Sequence, residues 1–281
     1  MNKIIFTILM CSLSALAVNY NVPYAGSIPT IDGVIGVGEW DDALSVNVSY
    51  ADFVTNGSGT SITGTTPTAG DLSGVYYFKW DTENLYMAFD VTDDILMWRN
   101  TYPGPYNGQD TVQLCFNPYN DSAAVFETDA WIFDITAETV DMAGPDIYRH
   151  TGAFNSDPNI VKAVLDDVSD NYVIETVIAW SDIKSDMTAL PGDIHGVGLM
   201  QLDFDGSSVD SLLCDFGNGS NFISQPDQWN TMTLVGADGC GSQGRYAGDI
   251  NADCYVDLID YSLIASQWLG CTDPADPDCS L

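Results

Sequence analysis

Apolar residues between positions 18 and 236 recur mainly in short runs, most of them alternating and rich in β-branched and aromatic side chains. Gly, Pro, Asn or Asp bound these runs, as turn residues bound strands. No long stretch keeps a helical period, so the pattern predicts an all-β body, a two-sheet antiparallel β-sandwich. The predicted strands are 46–50, 75–80, 85–91, 111–116, 131–135, 160–165, 172–179, 196–204 and 231–235.

The sequence between the strands predicts how the chain is divided. Residues 55–74 are rich in Thr, Ser and Gly, which indicates a long surface loop. Trp40, Trp80 and Trp180 are expected in the core. The predicted sandwich covers residues 18–236, a linker covers 237–248, and a small C-terminal module covers 249–281.

The C-terminal module opens with oxygen-bearing side chains at alternating positions of a twelve-residue stretch. This is the spacing of a calcium loop, whose tight curl turns the oxygens toward one hard cation. A solvated acidic run is the alternative interpretation. The predicted ligands of Ca²⁺ are Asp249, Asn251, Asp253, the backbone carbonyl of Tyr255, Asp257 and Asp260.

A helix is predicted directly after this loop, because apolar residues recur there at helical spacing and Gly270 ends the pattern. These residues are Leu258, Tyr261, Ile264, Ala265 and Trp268. The glycine-rich stretch 239–244 cannot form an entering helix. A calcium loop with an exiting helix alone resembles one half of a type I dockerin. The resemblance implies a cohesin-like protein or a cell-surface component as the partner of the module.

The charge of the chain narrows the choice of other partners. The formal net charge is -33, and all but five of the 40 acidic residues are aspartates. Such a charge repels phosphate backbones and anionic lipid, which argues against nucleic acid as a partner. It suits an acidic surface in a saline medium that contains calcium.

The N-terminus predicts export from the cell. Lys3 precedes an apolar run over residues 4–16, and the small residues of 15–17 precede a signal-peptide cut after Ala17. No other apolar stretch is long enough to span a membrane. We therefore expect a secreted, extracellular protein whose signal peptide comprises residues 1–17.

Six cysteines remain after this cut, and an even number in an exported chain favours disulfides. Cys115 and Cys214 lie in the strand-like runs 111–116 and 211–216. They are expected either to pair across the sandwich or to stay as two buried thiols. The other four surround the calcium loop; they are Cys240, Cys254, Cys271 and Cys279.

Several motifs of the body resemble carbohydrate-binding module family 9. Residues 31–33 and 38–40, Ile-Asp-Gly and Gly-Glu-Trp, look like the opening of that family. Residues 80–94 resemble its central hairpin, and 110–118 and 172–183 match two further segments. The resemblance implies a β-sandwich, often with bound structural calcium, that binds a polysaccharide or oligosaccharide alongside secreted glycan-degrading enzymes.

A sugar site needs aromatic faces and planar polar groups that reach neighbouring hydroxyls. Segment 98–110 joins two strands and combines both residue types. The predicted contacts are Trp98, Arg99, Tyr102, Tyr106 and Asp110, with Trp229 as the second tryptophan of the clamp that the family implies. Alternatively, Trp98 and Tyr102 close the edge of the core and Arg99 pairs with a nearby aspartate.

Together these observations predict a secreted, non-catalytic carbohydrate-binding protein with a calcium-dependent attachment tail. One alternative is a glycoside hydrolase, or an accessory enzyme of polysaccharide breakdown, with an unrecognised pair of carboxylates. Another is a haem-binding sandwich of the DOMON type that uses Met97 and His150. The third is a pure adaptor or surface protein.

Overall fold

Twelve strands and three helices are found among the residues that the computed structural model describes. The described residues are 18–55, 66–97, 110–121, 130–136, 147–149, 161–165, 171–205, 211–215, 226, 229–236, 248, 256 and 258–267. The elements are β1 (Asn19–Pro23), β2 (Leu44–Val48), α1 (Tyr50–Thr55), β3 (Leu72–Trp80), β4 (Asn84–Asp93), β5 (Thr111–Asn117), β6 (Trp131–Thr136), β7 (Ile147–Arg149), β8 (Val161–Leu165), β9 (Tyr172–Ala179), α2 (Trp180–Ile183), β10 (Ile194–Asp203), β11 (Ser211–Asp215), β12 (Asn230–Val235) and α3 (Leu258–Gln267).

The strands form two sheets, which confirms the predicted β-sandwich. One sheet has the order β2-β3-β4-β9-β8, and all of its pairs are antiparallel. The other has the order β1-β12-β10-β5-β6-β7, with β11 also paired to β10. Its strand β1 runs parallel to β12, so this second sheet is mixed at one edge.

The core lies between the two sheets and follows the period of two along each strand. In β4 the side chains of Leu85, Met87, Phe89 and Val91 point inward and are fully buried. Trp80 and Trp180 belong to this core, as predicted. Trp40 is also buried, but it packs in a separate cluster on the outer face of the five-stranded sheet.

An N-terminal strap, residues 25–43, covers that outer face. Glu175 of β9 holds the strap, because its carboxylate accepts hydrogen bonds from Trp40 Nε1 (2.8 Å) and from the backbone nitrogens of Asp32 (3.0 Å) and Gly33 (2.8 Å). The motifs 31–33 and 38–40 are therefore fixed by internal hydrogen bonds.

Lys79 of β3 fixes the strap at a second point. It is fully buried, and its Nζ donates to the carbonyl oxygens of Ser27 (2.9 Å) and Glu39 (2.6 Å) and to Asp42 Oδ1 (2.9 Å). It also lies 5.1 Å from the ring centroid of Trp40. A buried ammonium is tolerated here because these oxygen acceptors replace its water.

The predicted disulfide between Cys115 and Cys214 is wrong, and the alternative of two buried thiols is correct. Cys115 in β5 pairs with Gly198 of β10, and Cys214 in β11 pairs with Met200 of the same strand. The two cysteines thus flank β10 from opposite sides. Two strand spacings separate them by about 9.5 Å, whereas a disulfide needs Cα atoms within about 7 Å.

Other boundaries differ from the prediction for local reasons. The strand predicted at 46–50 ends at Val48, because Ser49 Oγ accepts the backbone N–H of Asp52 and starts α1. The loop predicted over 55–74 is too long, since β3 already begins at Leu72. Within the described part of the chain, no helix is long and apolar enough to cross a membrane.

Candidate functional site

Three aspartates meet inside one end of the sandwich. Asp93 ends β4 in the five-stranded sheet, Asp203 ends β10 in the other sheet, and Asp110 directly precedes β5. All three are buried, and one carboxylate oxygen of each lies within 4.8 Å of the other two. We call these residues the inner triad.

Strand alternation explains how the inner triad forms. Asp93 follows the inward-facing residues of β4, and Asp110 precedes those of β5, beginning with Val112. Asp203 has the same parity as Val197 and Leu199 of β10. Because β5 and β10 are antiparallel with Thr111 opposite Leu202, Asp110 and Asp203 lie at the same end of their sheet.

Hydrogen bonds hold the carboxylates of the inner triad in place. Asp93 Oδ1 accepts the N–H of Ile95 at 2.9 Å, and Asp110 Oδ1 accepts the N–H of Phe204 at 2.8 Å. Asp203 Oδ2 accepts the hydroxyl of Ser211 at 2.7 Å. Asp93 Oδ2 is buried and has no hydrogen-bond partner among the described residues, so it is available to a ligand.

The electrostatics of the inner triad are unfavourable without a cation. Burial, with the neighbouring carboxylates, raises the pKa of Asp93 and of Asp110 well above the usual range. The ion pair between Lys79 and Asp42 lies away from the triad, on the outer face of the five-stranded sheet. Three buried carboxylates this close together are stabilised by protons, by a basic side chain or by a bound metal cation.

The arrangement fits calcium. Ca²⁺ takes six to eight oxygens at about 2.4 Å, so ligands on its opposite sides lie up to about 4.8 Å apart. The spacing within the inner triad stays within this limit. Three carboxylates supply up to six oxygens, and the unpartnered Asp93 Oδ2 is one of them. A bound cation would add charge neutralisation and connect the two sheets.

A second group of carboxylates lies nearby and is more exposed. Asp71, Asp94 and Asp205 place ligand atoms within 4.8 Å of one another. The charges of Asp94 and Asp205 also act on Asp93 of the inner triad. These acids create a negative potential at this end of the sandwich, and such a potential draws cations toward it.

The predicted sugar contacts are placed in part. Trp98, Arg99, Tyr102 and Tyr106 lie outside the described residues. Asp110 is a member of the inner triad and is 1% exposed, so its direct contact with a sugar stays a prediction.

Trp229 is 3% exposed and packs with Cys115, Met200 and Leu202 on the outer side of the seven-stranded sheet. This burial favours a packing role for the Trp229 ring. Its place in a sugar clamp stays a prediction.

The calcium loop of the C-terminal module is also described in part. Asp249, Asn251, Asp253, Tyr255 and Asp257 lie outside the described residues, whereas Asp260 is buried in α3. An added Cβ on Gly248 would lie 3.1 Å from Val256 Cγ1. Gly248 and Val256, which precede and follow the stretch 249–255, therefore lie close together.

The helix predicted after the loop is present as α3, and one apolar side of it is uncovered. Leu258 is 82% exposed, Tyr261 is 68% exposed, and Ile264 is also exposed. The three residues are spaced by three positions and share one side of the helix. His150, proposed as a haem ligand, lies outside the described residues, and Met97 packs against the cluster that contains Trp229.

Sequence reasoning missed Asp93 and Asp203 as candidate ligands. A signal existed, because each is an acidic residue at an inward-facing position of a strand that is otherwise apolar on that side. The abundance of aspartate concealed it, since nearly all turns of this chain also contain Asp.

Comparison with known proteins agrees with the fold and with the motifs of the strap and hairpin. The model of the carbohydrate family 9 binding domain-like family matches residues 31–237. A family 9 carbohydrate-binding module from Caldicellulosiruptor kristjanssonii in complex with cellotriose is similar at a TM-score of 0.57 and 18% identity, over 83% of this chain and 97% of that one. A structure of such a module from the same organism with glucose gives a TM-score of 0.56 and 19% identity, over 78% and 96% of the two chains.

No curated protein sequence matches this chain. The solved structures establish the two-sheet fold, and the family model covers most of the length of the chain. This protein therefore belongs to the carbohydrate family 9 binding domain-like family.

Proposed function

We propose that this protein is a secreted carbohydrate-binding protein without catalytic activity, which binds an oligosaccharide or polysaccharide through its sandwich. The family match over residues 31–237 is the observation that carries the proposal. The similar structures contain cellotriose and glucose. These two sugars are therefore the first ligands to test.

We place the sugar contacts on Trp98, Arg99, Tyr102 and Tyr106. The residues on either side of this segment support the placement. Met97 N donates to Asp110 Oδ2, and Asp110 N donates to the Met97 carbonyl oxygen at 2.8 Å. The segment therefore leaves and re-enters the sandwich at one point, beside the inner triad.

Calorimetric titration with cellotriose, followed by a glycan array, tests this site. Removing a stacking aromatic at the centre of an interface costs about 2 kcal/mol, so Trp98→Ala should weaken binding by about 30-fold. Tyr119→Ala is the matched control, because Tyr119 is a half-exposed aromatic beyond the opposite end of β5. Equal affinities of the wild type and both Trp98→Ala and Arg99→Ala would refute the site.

A hydrolase or accessory enzyme remains the alternative class. It would release reducing ends from a polysaccharide, whereas a binding module retains the polysaccharide unchanged. A haem protein would show a haem absorbance band after purification. Both measurements can be made on the sample that is used for calorimetry.

We further propose two calcium ions per chain. One is held by the inner triad, for which the unpartnered Asp93 Oδ2 is the specific support. The other is held by Asp249, Asn251, Asp253, Tyr255, Asp257 and Asp260 in the C-terminal module. Each ion would neutralise carboxylates that otherwise repel one another.

Calorimetry with Ca²⁺ on the calcium-stripped full chain separates the two ions. We expect two ions in the wild type and one in either Asp93→Asn or Asp253→Ala. A variant that still binds two ions would refute the calcium site in which its substitution lies.

The C-terminal module is proposed to attach the protein to a cohesin-like partner or a cell-surface component. The apolar side of α3 supports this role, because the side chains of Leu258 and Tyr261 are largely exposed to solvent. A purified cohesin module should bind in calcium and not in chelator, and Tyr261→Asp should abolish that binding. Trp98→Ala should leave it unchanged. An adaptor without sugar affinity would bind the partner and no glycan.

A further inference from the structure

Val18 directly follows the predicted signal-peptide cut, and its backbone nitrogen makes a specific contact. Val18 N donates to Asn230 Oδ1 at 2.8 Å, and the Val18 carbonyl oxygen accepts the N–H of Thr231 at 2.9 Å. Both partners begin β12, to which β1 is paired in parallel. The chain is thus held by two hydrogen bonds at the residue where the mature protein is predicted to begin.

Asn230 connects this nitrogen to a buried carboxylate. The Asn230 amide is fully buried, and its Nδ2 donates to Asp215 Oδ1 at 2.6 Å and to the Asp215 carbonyl oxygen at 3.3 Å. Its Oδ1 accepts from Val18, so both ends of the amide are used. Tyr20 of β1 also donates its hydroxyl to Asp215 Oδ2.

Asp215 has polar partners but no described counter-charge. Its side chain is fully buried, and the one ion pair among the described residues involves Lys79 and Asp42 instead. A buried carboxylate of this kind is stabilised by a nearby positive charge. The Asn230 side-chain amide bridges the nitrogen of Val18 and the carboxylate of Asp215. A positive charge on that nitrogen would therefore stabilise the carboxylate.

We propose that cleavage after Ala17 makes the nitrogen of Val18 a structural ammonium group that binds Asn230 and, through it, compensates the buried Asp215. Hydrolysis of the Ala17–Val18 bond leaves the water oxygen on the carboxylate of Ala17 and adds protons to the nitrogen of Val18. The neutral amide becomes a cation without moving, and its hydrogen bond to Asn230 becomes charge-assisted. Processing therefore completes a polar cluster at the edge of the seven-stranded sheet.

The inference rests on the predicted cut and is independent of sugar or calcium binding. It also assigns a role to Asn230 and Asp215, which neither the family motifs nor the inner triad use. Maturation would then stabilise the folded domain as well as release the signal peptide.

Two forms of the protein that differ by one residue test the proposal. One begins at Val18 and the other at Ala17, each released from a removable fusion partner. In the longer form the nitrogen of Val18 stays an amide and the ammonium group lies one residue away. We expect the folding equilibrium constant of the Val18 form to be about five-fold higher, since hydrogen bonds to charged groups are stronger than neutral ones.

Asn230→Ala provides the matched background, because it removes the acceptor and keeps the ammonium group. The two forms should then differ by less than two-fold in the unfolding equilibrium. Equal stability of both forms in the wild-type background would overturn the proposal, and so would a five-fold difference that persists in Asn230→Ala.

A chemical measurement applies even if the Asn230→Ala variant does not fold. An acylating reagent should modify the terminal amine of the Val18 form more slowly than that of the Ala17 form, because the Val18 nitrogen is held on Asn230. Equal rates would contradict the inference. Mass spectrometry of the exported protein should also find Val18 as its first residue, and a different first residue would refute it.

Discussion

Replacing Asp93 by Asn should change stability in opposite directions with and without calcium. In chelator the wild type keeps three carboxylates whose oxygens lie within 4.8 Å of one another. Two unit charges at this separation repel by about 3 kcal/mol at an effective dielectric constant of 20. Since protons already neutralise part of this charge, we expect Asp93→Asn to raise the unfolding free energy by about 1–2 kcal/mol.

In calcium the order should reverse. A ligand present at a thousand times its dissociation constant stabilises the folded state by about 4 kcal/mol. Asn supplies a single oxygen, and the Ile95 N–H already uses Oδ1 of residue 93. The variant should therefore gain less than about 1 kcal/mol from calcium at the triad, and the wild type should become the more stable protein.

Urea unfolding, followed by tryptophan fluorescence, measures the stability difference between the wild type and Asp93→Asn in chelator and again in excess calcium. The C-terminal loop is common to the two proteins, so its own calcium contributes equally to them. Asp90→Asn is the matched control, because Asp90 lies in the same strand and points to the outer face. If Asp93→Asn lowers stability equally in both conditions, Asp93 is an ordinary structural residue and the cation site is refuted.

Two further predictions concern buried groups away from the triad. Glu175→Ala should lower the unfolding free energy by about 3 kcal/mol, because Trp40 and two backbone nitrogens lose a charged acceptor; a loss below about 1 kcal/mol in urea unfolding would contradict the role of the strap. Burial lowers the pKa of His195 in the folded protein. As the pH falls below about 6.5, His195 therefore binds a proton more readily in the unfolded chain than in the folded one, and the unfolding free energy should fall. The Pro118 carbonyl and Asp193 oppose this shift, and His195→Gln should flatten the loss between pH 7 and 5; an identical pH profile in the variant would refute the assignment.

Alternation of apolar residues was sufficient to predict most strands, because both faces of a half-buried strand leave a period of two in the sequence. Strand β1 was missed. Its five residues contain two outward-facing asparagines and end in Pro23, so little apolar signal remains. It forms because Tyr20 and Val22 enter the core and β12 offers an edge, and neither fact is visible locally.

The inner triad could not be predicted for a different reason. The three aspartates lie far apart in the sequence. The sequence alone does not show that the end of β4, in one sheet, lies beside the start of β5 and the end of β10 in the other sheet. Cys115 and Cys214 show the converse error. Their strand-like surroundings were read correctly, but strand order places both in one sheet with β10 between them.

The residues of the family motifs in the hairpin and strap use their polar atoms in hydrogen bonds within the fold. Asp81 of the hairpin accepts the N–H of Asn84 and the hydroxyl of Tyr86, and its carbonyl oxygen accepts Trp180 Nε1. The opening motif of the strap is likewise bound to Glu175. The carboxylates of Asp81 and Glu175 thus accept hydrogen bonds from donors of the fold itself.

Family membership therefore predicts the sandwich more securely than it predicts the sugar. Choice of ligand must depend on residues outside these motifs, and the proposed contacts from Trp98 to Tyr106 are such residues. Substitutions in the strap or hairpin should lower stability and leave the affinity of the folded fraction unchanged. Substitutions of Trp98 or Arg99 should do the reverse, and this contrast separates recognition of the fold from recognition of the glycan.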